Sequence, residues 1–433
     1  MINVGIIGFG TIGTGVVKLL KKNADVIERR LGVPVLVKMI ADIDIERDRG
    51  VTLDKEILIR DAGRVIEDDS IDIIVELIGG YNPAKEFIIK AIKKRKHVVT
   101  ANKALLAVYG EEIFNEAEKM GVDIRFEGSV GGGIPILRML REGLSADNIQ
   151  SIYGIINGTC NYILTRMTAE GISFKEALKE AQRSGYAETD PTLDIEGIDS
   201  AHKLIILASM AFGTPLRFDD AYIEGISNLA PVDIRFAEEF GYTIKLLAIA
   251  KMVNGEVEVR VHPTMLPREY LISKVDGVYN AIYVVGDAVG STLFYGQGAG
   301  EMPTGSAVVS DIIEISRGII NGVSGRVPAT SFLWDRRNTL RVRKMEGVIS
   351  RYYLRFSALD RPGVLSKISG VLGSNNISIS SVLQKGRKEG EAVPVVMMTH
   401  EAKEQNMRAA IEELDRLPVV AEKTVFIRVE GGE

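Results

Sequence analysis

The stretch NVGIIGFGTIG, residues 3–13, decides the fold of the first part of the chain. An apolar run of strand type leads into the motif G-x-G-x-x-G, formed by Gly8, Gly10 and Gly13, and then into a helical pattern. In that setting Gly8 permits a tight turn, Gly10 lets the backbone approach a pyrophosphate, and Gly13 lets helix and strand pack closely. The stretch therefore predicts the dinucleotide-binding turn of a parallel sheet, with a simple packing turn as the alternative.

The residues up to 130 continue this alternation of apolar strands and amphipathic helices. One helix is expected from about residue 12 to 30, and further strands at PVLVKMIAD, IDIIVELIGG, HVVTAN and VDIRFEG. Strands that are apolar throughout are typical of a parallel sheet covered by helices on both faces. We therefore predict an α/β fold with a Rossmann-like, doubly wound sheet.

The pattern changes twice further along the chain. Residues 131–300 combine long helices with alternating strands such as GEVEVRVHP, which predicts an α+β domain with an open sheet for substrate binding and dimerisation. Residues 301–340, with a helix at 305–323, are expected to complete the nucleotide-binding domain of residues 1–130. Residues 350–433 have the pattern strand, helix, strand, strand, helix, strand, which predicts a ferredoxin-like βαββαβ module.

Composition narrows the class of protein. With 433 residues, 46% of them apolar and 26% charged, the chain is long enough for two or three domains. It contains no apolar run of the roughly 18 residues that a membrane span needs, and it starts without a basic leader, so we expect a cytoplasmic protein. The net charge of -5 argues against a nucleic-acid surface, and one cysteine, Cys160, with four scattered histidines argues against a zinc site.

Charged residues after the second predicted strand bear on the choice of cofactor. Asp42 ends that strand, where a carboxylate can accept hydrogen bonds from the ribose hydroxyls of NAD. Arg47 and Arg49 follow closely and could instead hold the 2′-phosphate of NADP. The sequence leaves the choice between NAD and NADP open.

The stretch GYAETDPTLDIEGIDSAHKL, residues 185–204, carries five acids within twelve positions. It could be a solvated acidic loop, a cation site or an active site. The spacing does not match the D-x-[DN]-x-[DN]-G pattern of a calcium loop. Asp190 before a proline and Glu196 before a glycine are typical of turn formers.

Lys203, at the end of this stretch, begins an almost entirely apolar helical segment, with Asp199 one turn before it. An exposed ion pair at this spacing is the simplest interpretation. A buried lysine could instead donate a proton near neutral pH, provided that its pKa falls by roughly 3 units. Lys103, after a strand's carboxyl end, could supply a second cation, and Glu188 or Asp194 could bind a substrate ammonium group.

Five segments together resemble the homoserine dehydrogenases that carry a C-terminal ACT domain. They are GFGTIG, TANKALL, INGTCNYILTRM, the 185–204 stretch and GQGAGEMPTGSAVVSD, in order along nearly the whole chain. The resemblance implies reduction of aspartate 4-semialdehyde to homoserine with NADPH or NADH, on the route to threonine, methionine and isoleucine. It also implies a homodimer or homotetramer.

The resemblance assigns roles to individual residues. Lys203 would be the proton donor with Asp199 beside it, Glu188 and Asp194 would bind the amino acid, and Lys103 would assist at the substrate. A monovalent cation, typically sodium, would bind at EGSVGGGI through Glu127, Val130, Gly132 and Ile134. Besides the three glycines and Asp42, the cofactor contacts would be Phe9, Thr11, Ile12, Thr100, Lys103, Gly185 and Gly300.

LDRPGVLSKISGVLGSNNISI, residues 359–379, resembles the ligand-binding signature of ACT domains. A strand-to-helix turn with Pro362 and Gly363 would leave backbone N–H groups for an amino acid's carboxylate. Asp360, Asn375 and Asn376 are the other candidate contacts. Pathway logic suggests threonine as the effector, while a module that only pairs subunits is the alternative.

Two other functions stay open at this point. A dehydrogenase of another amino acid, of the aspartate or diaminopimelate type, would release or incorporate ammonia. A non-catalytic sensor would keep the nucleotide fold and respond through the ACT module.

Overall fold

A computed structural model of the chain describes residues 1–385 and 391–431. Residues 386–390 and the last two residues of the predicted third domain lie outside this part. The first 130 residues form a sheet of six strands: β1 (Ile2–Ile7), β2 (Val35–Ala41), β3 (Leu58–Ile59), β4 (Ile73–Glu76), β5 (His97–Thr100) and β6 (Ile124–Arg125). All are parallel, in the order β3-β2-β1-β4-β5-β6. This order, with its switch point between β1 and β4, confirms the predicted Rossmann-like fold.

Helices cover both faces of this sheet and enclose two apolar cores. They are α1 (Thr11–Lys22), α2 (Ala24–Leu31), α3 (Ala62–Glu67), α4 (Ala84–Lys93) and α5 (Lys103–Met120). The single helix expected near residues 12–30 is two helices, because the backbone leaves the helical region at Asn23 (φ -109°, ψ 19°). Asparagine favours such breaks since its short polar side chain competes for backbone hydrogen bonds.

The central part of the chain is a layer of helices on one face of a second sheet. Its helices are α6 (Ile136–Arg138), α7 (Gly158–Glu170), α8 (Phe174–Arg183), α9 (Thr192–Ile195), α10 (Ile198–Phe212) and α11 (Pro231–Glu239). Its strands are β7 (Ile149–Ile155), β8 (Tyr222–Ile223), β9 (Tyr242–Val253), β10 (Glu256–Pro267), β11 (Tyr279–Gly286) and β12 (Gly290–Gln297). A two-residue turn at Asn254 and Gly255, both with positive φ, joins β9 to β10, as the primed turns of antiparallel hairpins require.

The chain then returns to the first sheet and finally forms the third unit. Helix α12 (Glu301–Ile320) packs against α1, and the connection to the third unit contains β13 (Arg341–Val342). The third unit comprises β14 (Ile349–Leu359), α13 (Val364–Ser374), β15 (Ile379–Gln384), β16 (Ala392–Thr399), β17 (Ala402–Lys403), α14 (Glu404–Leu414) and β18 (Val425–Val429). This is the predicted βαββαβ arrangement with one short added strand.

The second and third units share one sheet. Strand β18 pairs in parallel with β10 through Thr264–Arg428 and Met265–Val429, so the strands follow the order β12-β11-β7-β9-β10-β18-β14-β16-β15. No helix within residues 1–385 and 391–431 is long and apolar enough to span a membrane.

Candidate active site

A cleft of about 360 Å³ lies between the carboxyl ends of β4 and β5 and the acidic 185–204 stretch. The sheet side contributes residues that follow the two strands, including Gly79 and Lys103. The facing side contributes four acids, Glu188, Asp190, Asp194 and Asp199. Doubly wound sheets bind ligands at this edge. The acidic stretch therefore forms the wall of the cleft that faces the predicted cofactor site.

Asp199, which lines the cleft, contacts both candidate lysines. Its Oδ2 accepts a hydrogen bond from Lys203 Nζ at 2.7 Å, and its Oδ1 lies 3.0 Å from Lys103 Nζ. Lys203 also donates to the carbonyl oxygen of Ile156 at 2.7 Å. Lys103 lines the cleft with 39% of its side chain exposed, whereas Lys203 is buried and is not among the residues that line the cleft.

Burial and the neighbouring charges together shift the pKa values of Lys203, Lys103 and Asp199. Burial lowers the pKa of Lys203, against the opposing charge of Asp199. The charge of Asp199 raises the pKa of Lys103 despite burial. Burial would raise the pKa of Asp199, but Lys203 and Lys103 outweigh it and hold that pKa far below its usual range. The centre thus contains a carboxylate that stays ionised, one lysine that loses its proton more easily than a free lysine and one that holds its proton more tightly.

Asn157, which is not among the residues predicted from the sequence, joins this centre to Asp194. Its Nδ2 donates to Asp194 Oδ1 at 2.7 Å and to Asp199 Oδ2 at 2.9 Å, while its Oδ1 accepts the backbone N–H of Cys160 at 2.8 Å. An asparagine before a helix is typical of an N-cap, and this structural role conceals the second one in the sequence. Thr159 was not predicted either: its hydroxyl donates to the carbonyl oxygen of Tyr186 and so ties α7 to the acidic stretch.

The remaining members of the acidic stretch have other partners. Asp190 Oδ1 accepts from the backbone and hydroxyl of Thr192, as expected of a turn former, and Glu196 accepts from the Ser227 hydroxyl. Glu188 is exposed at the rim.

The glycine turn at the end of β1 fits a dinucleotide. Gly8 has a φ of +102°, and a Cβ on Gly13 would lie 2.2 Å from the Gly8 carbonyl oxygen, so both positions require glycine. A Cβ on Gly10 would meet nothing within 4 Å, which leaves open space in front of the helix. Gly10 precedes α1 without a capping side chain, so the first N–H groups of the helix, from Thr11 to Gly13, face this space.

Asp42 and Arg49 stabilise this turn from the side. Asp42 Oδ2 accepts the backbone N–H of Phe9 at 2.5 Å, and its Oδ1 accepts from Arg49 at 3.3 Å. The Arg49 guanidinium lies over the Phe9 ring, 4.8 Å from its centre. Arg47 is exposed nearby. Opposite charges therefore meet at the ribose end of the predicted cofactor site.

The other predicted cofactor contacts are dispersed. Ile12 lines the cleft. Thr100 is buried at the end of β5, where its hydroxyl donates to Glu76 at 2.7 Å, so its side chain is engaged within the protein. Gly185 follows α8, and Gly300 precedes α12, each with positive φ. Neither glycine is among the residues that line the cleft.

The predicted cation segment surrounds a buried acid. Glu127 accepts hydrogen bonds from the backbone N–H groups of Leu137 at 2.9 Å and Arg138 at 2.8 Å. The Ile134 carbonyl oxygen accepts the Ile136 N–H, and Val130 and Gly132 lie in the same turn. Asp311 accepts the Glu127 N–H through Oδ2, while its buried Oδ1 has no hydrogen-bond partner among the described residues. The guanidinium of Arg138 lies 4.0 Å from this Oδ1, so the oxygen has a nearby cation but no hydrogen bond, and it is compatible with a bound cation.

The structure divides the predicted effector residues of the third unit into two groups. Asp360, Pro362 and Gly363 lie before α13, whereas Asn375 and Asn376 follow its last residue. An eleven-residue helix is about 16 Å long, so one small amino acid cannot contact both groups within one chain.

Comparisons with known proteins agree with this arrangement of parts. The family model for the homoserine dehydrogenase NAD binding domain matches residues 8–127, the model for homoserine dehydrogenase matches residues 135–313, and the model for the ACT domain matches residues 352–419. A homoserine dehydrogenase of Pseudomonas aeruginosa is 47% identical over 432 residues, which cover 99% of each chain.

Two solved structures extend the similarity to the fold. The crystal structure of a homoserine dehydrogenase from Thiobacillus denitrificans has a TM-score of 0.94 and 48% identity, over 99% of this chain and 98% of that one. A hyperthermophilic archaeal homoserine dehydrogenase in complex with NADPH has a TM-score of 0.63 and 28% identity, over 73% of this chain and 97% of that one.

Proposed function

The chain belongs to the homoserine dehydrogenase family, and from this premise we propose how its own residues carry out the reaction. It is an NAD(P)-dependent oxidoreductase that reversibly reduces L-aspartate 4-semialdehyde to L-homoserine. The full-length matches favour this function over the other two that the sequence left open. In our proposal Lys203 donates the proton, Lys103 orients the substrate, and Asp194 with Glu188 binds its ammonium group.

A single observation supports the proposal best: one carboxylate, Asp199, contacts both lysines at the cofactor cleft. A bound nicotinamide supplies the hydride, so the protein must place the aldehyde carbon and deliver one proton to its oxygen. Lys203 uses two of its N–H groups on Asp199 and Ile156, which leaves the third for the substrate oxygen. Its lowered pKa favours proton release, while the raised pKa of Lys103 suits a permanent cation that binds substrate oxygen.

The acidic side of the cleft suits an amino acid substrate. Asp194 is half-buried and Glu188 exposed, and both face the cleft that Lys103 enters from the opposite side. Carboxylates on one side and an ammonium group on the other match the two charges of an α-amino acid. This orientation would direct the side-chain aldehyde towards Asp199 and Lys203.

The experiment is a steady-state assay of homoserine oxidation with the variants Lys203→Ala and Lys103→Ala. Loss of a general acid-base group reduces turnover by at least about a hundredfold. The kcat of Lys203→Ala should therefore fall by that factor, while its affinity for the cofactor should stay unchanged. Lys103→Ala should raise the KM for homoserine. An unchanged kcat in Lys203→Ala would remove Lys203 from the mechanism.

For the cofactor, the proposal is that NADP(H) is used at least as well as NAD(H). Asp42, the residue that would favour NAD, already accepts from Phe9 and Arg49, so its negative charge is offset. Arg47 is exposed at the same end and can meet a 2′-phosphate. Replacing Arg47 and Arg49 with alanine should raise the KM for NADPH more than that for NADH, and an equal change for both cofactors would contradict the assignment.

We assign the cation site to Glu127 and the carbonyl groups of Val130, Gly132 and Ile134, with a structural role. Burial, with the charge of Asp311, raises the pKa of Glu127 to about 8, and burial raises the pKa of Asp311 to about 6, so a bound cation would stabilise the ionised form of this buried pair. The ion would fix the turn between the nucleotide sheet and α6. Thermal unfolding in sodium against choline chloride tests this role: the melting temperature should be higher in sodium, and Glu127→Gln should abolish the difference.

The assembly is proposed to be a homodimer or a dimer of dimers. The face of the second sheet opposite to α7 and α10 carries exposed aromatic residues, including Tyr279 stacked on Tyr295 at 5.1 Å. Light scattering should give at least twice the monomer mass, and a monomer at micromolar concentration would contradict the proposal.

Threonine is the proposed effector at the third unit, and unchanged activity at millimolar threonine would argue that this unit only pairs subunits.

A further inference from the structure

We propose that Asn157 is a positioning residue, whose amide fixes the spacing between the carboxylate that binds the substrate ammonium group and the carboxylate that holds the catalytic lysine. This inference rests on the proposed function of Asp194, Asp199 and Lys203. Asn157 itself is buried beneath both carboxylates.

The orientation of the Asn157 amide follows from its contact with α7. The backbone N–H of Cys160 can only donate, so the side-chain atom that it meets at 2.8 Å must be the carbonyl oxygen Oδ1. The NH2 group is therefore on the opposite side, where its two hydrogens meet Asp194 at 2.7 Å and Asp199 at 2.9 Å. Each donor of the amide thus has a single carboxylate acceptor.

Two further contacts make the start of α7 a rigid support for the site. The Cys160 thiol donates to the carbonyl oxygen of Asp194 at 3.1 Å, so the same turn holds both the backbone and the side chain of Asp194. The preceding residue, Ile156, accepts from Lys203 at 2.7 Å. Residues 156, 157 and 160 thereby place the proton donor and the ammonium-binding carboxylate relative to each other.

The charges explain why an amide is required at this position. Asp194 and Asp199 are neighbouring carboxylates that repel each other, and Lys203 and Lys103 are both committed to Asp199. Burial raises the pKa of Asp194, and the hydrogen bond from Asn157 lowers it. The NH2 group therefore opposes the effect of burial, favours the ionised form of Asp194 and fixes the direction of its carboxylate without adding a charge.

The test compares Asn157→Ser with Asn161→Ser. Serine keeps the N-cap of α7 but removes both donors to the carboxylates. Asn161 is an equally buried asparagine one turn further along the same helix, which donates to Val275 and Tyr279 and contacts neither carboxylate. Asn157→Asp, of the same shape, is a second variant in case the serine variant does not fold.

In Asn157→Ser the KM for homoserine should rise about tenfold or more, since hydrogen bonds to charged groups are worth that factor. The acidic limb of kcat/KM should move to higher pH because Asp194 becomes easier to protonate. Cofactor affinity should stay unchanged, and Asn161→Ser should move neither quantity even if it lowers the melting temperature.

An unchanged KM and pH profile in Asn157→Ser and Asn157→Asp, or equal changes in Asn161→Ser, would overturn the inference. Asp194→Asn and Lys203→Ala measured in parallel separate it from the proposed function. If these two variants lose activity while the Asn157 variants keep theirs, the mechanism stands and only the role of Asn157 is wrong.

Discussion

Asp199 is the residue on which the chemistry of the site depends, because it contacts two lysines with opposite pKa shifts. A general acid must release its proton during turnover, and a substrate-binding cation must retain its proton. Burial favours the neutral form of Lys203, and the carboxylate at 3.0 Å favours the charged form of the more open Lys103. The same acid thus supports two different roles.

The pH dependence of turnover should show which lysine moves the proton. Reduction of the aldehyde requires protonated Lys203 and oxidation of homoserine requires the neutral amine, so kcat for reduction should fall as pH rises through its pKa. The kcat for oxidation should rise over the same interval. Since burial lowers the pKa of Lys203 from its ordinary value of 10.5, both changes should occur below that pH.

Profiles of Lys203→Ala and Lys103→Ala, measured in both directions, provide the control. The fall in kcat for reduction and the matching rise in kcat for oxidation should both disappear in Lys203→Ala and persist in Lys103→Ala. If this pH dependence persists in Lys203→Ala and disappears in Lys103→Ala, the proton donor is Lys103.

Among single residues, the acids and lysines of the site could be predicted from the sequence, but the amide of Asn157 that joins two of the acids could not. Lys203 stood out because an apolar helix follows it, and Asp199 because it lies one helical turn away. Asn157 is 37 residues from Asp194 and 42 from Asp199. A contact over that separation depends on how α7 and α10 pack, which local spacing does not contain.

Among the elements, the segment from α9 to α10 determines where the acids of the site lie. Gly197 separates the two helices with a φ of +82°, so the chain turns between Asp194 and Asp199. A Cβ at this position would lie 3.2 Å from Val261 Cγ1 and 3.3 Å from Ile223 Cγ2. The turn is therefore restricted by both its backbone conformation and its neighbours on the second sheet.

Gly197→Ala should raise the KM for homoserine and lower the melting temperature. A left-handed conformation costs a non-glycine residue about 1 kcal/mol, and the close contacts would move the turn that carries Asp194. Gly171→Ala is a matched control, since Gly171 has a φ of +68° and nothing within 4 Å of its added Cβ. It should lower the melting temperature alone, and a KM that changes equally in both variants would contradict the role of the turn.

The sequence predicted most elements of the fold because their signals are local. The strand, glycine turn and helix of residues 3–13, and the alternation after them, required only hydrophobic period and turn chemistry. The break at Asn23 was not predicted, since apolar positions continue with a helical period on both sides of it. Pairing between β10 and β18 joins residues about 160 apart, which no local pattern encodes.

For the whole molecule, the joint between the second and third units is a buried cluster of charges as well as a shared sheet. Arg428 on β18 is fully buried and donates to Glu404 of α14 at 2.6 Å and to Glu224, after β8, at 2.8 Å. Glu224 lies two residues before Ile226, whose N–H donates to the Ile195 carbonyl beside Asp194. Contiguous contacts therefore connect the third unit to the acidic stretch.

Arg428→Met should destabilise the protein by about 3 kcal/mol, because it leaves Glu404 buried without its main cation. Burial alone would raise the pKa of Glu404, but Arg428 outweighs it and holds that pKa below its usual value. The stability from this pair is thus present above about pH 4.5 and lost as pH falls through the lower folded-state pKa. Without Arg428 the folded state would instead bind the proton of Glu404 more tightly than the unfolded state.

The difference in denaturation midpoint between the parent chain and Arg428→Met should therefore be largest near neutral pH. It should start to shrink above about pH 4.5, where the folded variant protonates Glu404, and continue to shrink as pH falls through the lowered pKa of Glu404 in the parent chain. Midpoints are the appropriate measure, since a chain with several cores need not unfold in two states. Arg416→Met is the control: Arg416 lies 3.8 Å from Glu412 with 78% of its side chain exposed, and such pairs contribute little. A pH-independent difference for Arg428→Met would mean that lost packing, rather than the unpaired carboxylate, destabilises the joint.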